Sequence, residues 1–228
     1  MTWAELQVID HANDVLLDDC LRKSGFTNPL RTLDRSAIPV AEDRRYGIWV
    51  AVNARRYAYE LPSFAFAVKG DALLRAQSAA WSSAEDSCLR STPLLPELTY
   101  TDSRAGLQGS PIKTGTDGAA AAYLAASRTK AWRIARQQWW ACLRMHKVSP
   151  RTNATDWSPV LPTNPAAAPR TAMIDVNCKA STKIIQTLAD IEARYQAAFI
   201  AHHREQLEFE RRAVADAVRE AKRVIAAG

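Results

Sequence analysis

Between Thr171 and Ala227 the chain contains neither Pro nor Gly, and this constrains it more than any other feature. The stretch is rich in Ala, Glu, Arg, Gln and Leu, which lose little on entering a helix. Its apolar residues recur at Ile184, Leu188, Ile191, Tyr195, Phe199, Leu207, Val214, Ala217/Val218, Ala221 and Val224/Ile225. Steps of three, four and seven keep such residues on one face of a helix. Unbroken from Thr171 to Ala227, that helix would run on the order of 80 Å at about 1.5 Å per residue. The seam thins between His202 and Arg212, where a heptad would turn polar residues inward. The pattern therefore predicts a long helix packed on other helices, not a parallel zipper.

The remaining chain reads as helical too, giving an all-α class with a long C-terminal helix. Thr2-Trp3-Ala4-Glu5 fits a capping box, and Gly25-Phe26 fits a Schellman stop, which predicts a helix from Thr2 to Ser24. Residues 26–43 read as loop. Tyr46–Tyr59 reads as a short helix, although Ile48–Val52 alone suits a strand equally. Asp71–Trp81 and Ser82–Ser91 read as two short helices, the second opened by Ser82-Ser83-Ala84-Glu85. Pro93, Pro96 and Pro111, with Gly, Ser and Thr among them, mark Thr92–Gly118 as a linker or extended strap, set between the domains over 103–118. A helix then runs from Asp117 or Gly118 to the turn before Ser149-Pro150. A Pro-rich connection, Pro150–Pro169, leads to Thr171 as the expected N-cap of the last helix. The domains expected are an N-terminal half over 1–102, the linker over 103–118, and a C-terminal half over 119–228.

Four cysteines set the staples. Cys20-Leu21-Arg22 and Cys142-Leu143-Arg144 each stand near a helix end before a turn. Ser87-Cys88-Leu89-Arg90-Ser91-Thr92 and Asn177-Cys178-Lys179-Ala180-Ser181-Thr182 form a second matching pair, with Asp86 just before the first and Asp175 two positions before the second. The order is first type, second type, then the same again, as a degenerate duplication would leave it. Each half then closes with its own disulfide, Cys20–Cys88 and Cys142–Cys178. Four cysteines allow three pairings, and two other readings stand beside this one: four buried thiols, or a zinc site. Structural zinc generally uses paired C-x2-4-C spacing, which is missing here. Disulfides would place the protein in an oxidising compartment.

The run Cys20-Leu21-Arg22-Lys23-Ser24-Gly25-Phe26, then Arg45-Tyr46-Gly47-Ile48, Tyr57-Ala58-Tyr59-Glu60-Leu61-Pro62 and Ser87-Cys88-Leu89, resembles a set of actinobacterial secreted proteins and lipoproteins. Those share a C-[LM]-x3-G-[FY] start, an R-Y-G-[IL] turn and a later Cys. Ile174-Asp175-Val176-Asn177-Cys178-Lys179, followed by Tyr195-Gln196 and an Ala/Glu/Arg tail, is similar to the same set. The resemblance is diffuse over most of the chain and its motifs are structural. It implies an extracellular or cell-envelope address and no particular chemistry. The sequence departs from the set in lacking a leader or lipobox and in its insertion at 103–118. Met1-Thr2-Trp3-Ala4-Glu5 has neither the basic start nor the apolar run of a signal peptide, so the expectation is a trimmed leader or, alternatively, a cytoplasmic or virion protein.

Composition bounds the partners. The hydrophobic fraction is 47% and the charged fraction 24%, ordinary for a folded globular chain. No segment approaches the ~20 apolar residues that span a bilayer. A net charge of +6 permits an anionic envelope polymer, but the basic residues read as scattered among acids, which argues against a dedicated nucleic-acid role. Trp132, Trp139 and Trp140 among Arg128, Lys130, Arg133 and Arg136 are candidates for ligand stacking, with core packing the plainer reading. His202 and Glu205 lack an H-E-x-x-H frame and read as a solvated face. Asp18/Asp19 and Glu42/Asp43 read as solvated acid pairs near element ends. No serine sits in a G-x-S-x-G turn. Neither cofactor nor metal is implied.

The reading that results is a non-enzymatic, extracytoplasmic helical protein engaging a partner protein or envelope component. Its alternatives are a structural protein of a virion or other large assembly, and a hydrolase of envelope polymers. The expected partner-binding or self-association element is the distal helix, through Leu207, Val214, Ala217/Val218, Ala221 and Ile225; the competing expectation is that this stripe covers the first helix.

Overall fold

In a computed structural model the described residues are 2–34, 43–61, 65–95, 113–153 and 155–228. They form helices α1 (Trp3–Lys23), α2 (Ala51–Tyr57), α3 (Ala65–Arg75), α4 (Ala79–Ser91), α5 (Lys113–Ser127), α6 (Lys130–Met145), α7 (Ala168–Ser181), α8 (Ile184–His202) and α9 (Arg204–Ala227). A 3-10 turn at Pro165–Ala167 leads into α7. No strand occurs among the described residues, so the protein is all-α.

Local signals account for the ends of α1. Thr2 Oγ1 accepts the Glu5 amide at 3.2 Å while Glu5 Oε2 accepts the Thr2 amide at 2.6 Å, a reciprocal cap on two free donors. At the other end Phe26 N–H donates to Leu21 O and Gly25 N–H to Arg22 O, the Schellman pattern. The same pattern ends α6, where Val148 N–H donates to Leu143 O and Lys147 N–H to Arg144 O. Gly25 and Lys147 take the left-handed position, with φ of +81° and +60°.

The long C-terminal helix is divided where the sequence carries no breaker. Thr182 ends α7, accepted by Cys178 O through both its amide and its hydroxyl, and Lys183 takes φ +53°. His203, at φ −108° and ψ 24°, separates α8 from α9. Among the described residues the longest helix is thus α9, with 24 residues, and Thr171 lies inside α7 instead of capping it. The single helix expected up to the turn before Ser149-Pro150 is likewise two: α5 ends at Ser127, and Thr129 caps α6, its Oγ1 accepting the Trp132 amide. Ser78, not Ser82, caps α4, so the expected boundary at Ser82 falls within that helix. Ile48–Val50 is extended coil entering α2, not a strand.

The chain divides into two compact units. Met1–Val40, Ser63–Thr116 and His203–Gly228 make the first; Ala41–Pro62 and Asp117–His202 make the second. These are not the sequential halves 1–102 and 119–228. The physical reason is that α9 buries its stripe in the first unit, while the segment around Tyr46–Tyr59 buries its polar and apolar groups in the second. Of the expected linker, 103–112 lies outside the described residues, and 113–118 is already helix.

In the first unit, Ile9 and Ala12 of α1 pack with Val214, Ala217 and Ala221 of α9. A second cluster joins Leu17 and Leu21 to Trp81 and Cys88 of α4. Glu210 of α9 accepts the Thr114 amide at 2.7 Å and the Gly115 amide at 3.0 Å, so a carboxylate meets the open donors at the start of α5. In the second unit, Trp132, Trp139 and Leu143 of α6 pack with Cys178, Ile184, Leu188, Tyr46 and Trp157. Each unit carries one staple: Cys20–Cys88 in the first and Cys142–Cys178 in the second, with Cα separations of 5.8 and 5.6 Å.

Candidate functional site

The densest chemistry lies in the second unit, where ionisable groups are buried between α6, α7, α8 and the segment 44–59. Asp175 and Lys179 stand one turn apart on α7, both almost wholly buried. The Lys179 ammonium donates to Asp175 Oδ2 at 3.2 Å, to Ile48 O at 2.9 Å and to Trp157 O at 2.8 Å. It also lies 5.0 Å from the centroid of the Trp139 ring. Asp175 Oδ1 accepts Trp139 Nε1–H at 2.9 Å, and Oδ2 accepts the Tyr59 hydroxyl at 3.4 Å. Burial pushes the Asp175 carboxyl up, while Lys179, Trp139 and Tyr59 pull the other way. Burial, with Asp175 beside it, also raises the Tyr59 phenol.

Glu192 of α8 is the second anchor. The Tyr46 hydroxyl donates to Oε2 at 2.6 Å, Arg45 Nε donates to Oε2 at 2.8 Å, and Gln196 Nε2 donates to Oε1 at 2.8 Å. Arg45 makes a further ion pair to Oε1 through its other nitrogen, and lies 5.3 Å from the Tyr123 ring centroid. Burial and the Glu192 carboxylate push the Tyr46 phenol up, and Glu192 raises Arg45.

These contacts give Arg45-Tyr46-Gly47-Ile48 a physical meaning. Arg45 and Tyr46 grip α8, Ile48 offers its carbonyl to α7, and Gly47 makes the turn between them at φ +75°. A Cβ on Gly47 would sit 2.3 Å from the Trp157 carbonyl oxygen and 2.9 Å from Lys179 Nζ. Only glycine fits there. Chemically the arrangement holds three helices together through charges matched inside the core; removing one member of such a pair costs about 3–5 kcal/mol.

The structure distributes the sequence-predicted residues as follows. All four cysteines are in disulfides, paired as the local repeats imply, so the free-thiol and zinc readings fall away. Cys142, His146 and Cys178 have their ligand atoms within 4.8 Å, but the two sulfurs are bonded to each other. Trp132 and Trp139 are buried among Tyr46, Tyr123 and Trp157, which makes them core and corrects the stacking-surface reading. Trp140 is half-buried, with the Arg136 guanidinium 4.8 Å from its ring centroid and 4.7 Å from that of Trp157. In the distal stripe Val214 and Ala221 are buried, Val218 and Ile225 partly so, all with α1, while Leu207 is half-buried. The occupant of that stripe is α1, and the reading of it as a waiting partner surface is corrected.

Glu205 is exposed on α9. Asp18 is not the solvated acid expected: it is 1% exposed and accepts Arg22 Nε and the Asn28 amide, both at 2.7 Å, and an Arg31 nitrogen. Asp19 is exposed, and Glu42 lies outside the described residues. Sequence reasoning missed Asp175, Lys179 and Glu192. A signal was available in the acid and base one turn apart beside Cys178, and in Glu192 adjoining the apolar seam at Ile191. No family model matches the chain, and comparison with curated proteins and with solved structures finds no match.

Proposed function

We propose that the protein works outside the cytoplasm as a non-enzymatic helical binding protein that engages a partner protein or a cell-envelope component. The observation that carries this reading is the pair of disulfides, one closing each compact unit. Disulfides form and persist in oxidising compartments and are rare where glutathione and thioredoxin keep thiols reduced. Support also comes from the buried carboxylates. Asp18, Asp175, Glu192 and Glu210 are each engaged by donors of the chain itself, Asp18 tying α1 to the loop that follows it and the other three tying a helix to another segment of the fold. Among the described residues no helix is long and apolar enough to cross a membrane. The test is trapping with a thiol-alkylating reagent in intact cells that make the protein naturally, followed by mass analysis. A chain with all four cysteines protected supports the reading; a chain alkylated at its cysteines in place overturns it.

A further inference from the structure

The basic excess of the chain is not evenly spread. Residues 118–174 carry eight Lys or Arg and a single acid, Asp156, a net of +7, so the remaining residues net −1. Arg128, Lys130, Arg133, Arg144, Lys147 and Arg151 are all exposed, and none takes part in an ion pair among the described residues. This charge is organised by α6. Its inner face is consumed by Trp132, Ala135, Trp139, Cys142 and Leu143, which fixes which way the rest of the helix points. At about 100° per residue, Arg133 and Arg144, eleven positions apart, fall on one line within about 20° of each other, with Lys130 nearby.

A second line runs beside the first. Ile134, Ala141 and Met145 share a strip of the same outer face by the same spacing, and Ile134 and Met145 are 42% and 77% exposed. A basic row adjoining an apolar row, on a helix anchored from behind by a disulfide and four buried aromatic or aliphatic side chains, has a specific complement. Soluble polyanions satisfy the basic row and leave Ile134 and Met145 in water. An anionic lipid surface satisfies both: headgroup phosphates meet the Arg and Lys side chains while Ile134 and Met145 enter the acyl boundary.

We infer that the outer face of α6, with Lys147 and Arg151 beyond its end, is a peripheral docking surface for an anionic lipid bilayer. This deepens the binding role proposed above and rests on it only for the choice of membrane face. A protein with free thiols in its cells that still bound vesicles would overturn the compartment and leave the lipid surface standing. A disulfide-bonded protein that ignored vesicles would do the reverse.

The experiment is co-sedimentation of the full, oxidised chain with vesicles of phosphatidylcholine alone and of equimolar phosphatidylcholine and phosphatidylglycerol. Binding is expected to the mixed vesicles only. Arg133→Gln with Arg144→Gln should lower partitioning on the order of 25-fold, from about five-fold per neutralised charge. Met145→Asp should also weaken it at least ten-fold, with the helical circular dichroism of every variant unchanged because the positions are exposed. Failure of the folded protein to bind the mixed vesicles overturns the proposal. So does unchanged partitioning of Met145→Asp, and in that case equal binding to inorganic polyphosphate would assign the basic row to soluble polyanions.

Discussion

Gly47 and Gly25 both hold φ in the left-handed region, at +75° and +81°, yet the space around them differs. Around Gly25 nothing lies within 4 Å of an added Cβ, so Gly25→Ala should cost only the conformational penalty, about 1 kcal/mol. Gly47→Ala adds a clash with the Trp157 carbonyl, the same oxygen that accepts the buried Lys179 ammonium, and should cost about 3 kcal/mol or more. Urea denaturation compares them directly, and equal losses would mean the turn at Gly47 relaxes freely. Asp18 gives the pH counterpart. Burial alone would push its carboxyl up, but Arg22, the Asn28 amide and Arg31 outweigh burial and hold it below the ordinary value. Its folded value is therefore below its unfolded one, so the stability it contributes is complete above about pH 4 and is lost as pH falls through the folded value. The advantage of the native chain over Asp18→Asn, measured by urea midpoint, should be full at neutral pH and shrink steadily under acid. An advantage independent of pH would place the effect in packing instead of charge.

At the scale of elements, α9 decides the first unit. Ile9 and Ala12 are fully buried, with Val214, Ala217 and Ala221 around them, and the small Ala side chains permit close approach of the two helices. Truncation after Arg204 strips this cover, so a large fall in melting temperature and loss of helical signal beyond the deleted residues are expected. A truncated chain melting as the full one does would return α9 to the role of a free binding helix. The contrast with α1 shows what was legible. Thr2, Glu5, Gly25 and Phe26 carry the start and stop of α1 within a few residues, and the structure follows them. The stripe of α9 was equally plain in its periodicity, but periodicity names a buried face without naming its cover. The breaks at Lys183 and His203 have no Gly or Pro to announce them, and Lys183 takes the left-handed region against its own preference. The buried site was least legible. Asp175, Lys179 and Glu192 have the same letters as solvated helix charges, and what distinguishes them is the arrival of Arg45, Tyr46, Ile48 and Tyr59 from more than a hundred residues away, with Trp139 and Trp157 nearer in the chain.

At the scale of the whole molecule, the two staples restrict the unfolded chain. Cys20–Cys88 closes a span of 68 residues and Cys142–Cys178 one of 36. Chain-entropy reasoning gives about 4 kcal/mol for each, slightly more for the longer loop. Domains are typically stable by only ~5–15 kcal/mol, so losing both staples removes a large share of what holds the chain folded. The sulfurs are also core atoms: Cys88 and Cys178 are buried at 2% and 0% exposure, among Leu17, Leu21 and Trp81 in one unit and Trp139, Leu143 and Ile184 in the other. Reduction therefore leaves four thiols that no longer restrict the unfolded chain, and the loss should appear as a lower urea midpoint. Unfolding by urea with and without a strong dithiol reductant is expected to show a collapse of the midpoint on reduction, with four alkylated cysteines by mass. The Cys20→Ala/Cys88→Ala and Cys142→Ala/Cys178→Ala pairs should each reproduce part of that fall. A reduced chain with an undiminished midpoint would show that the staples do not govern stability.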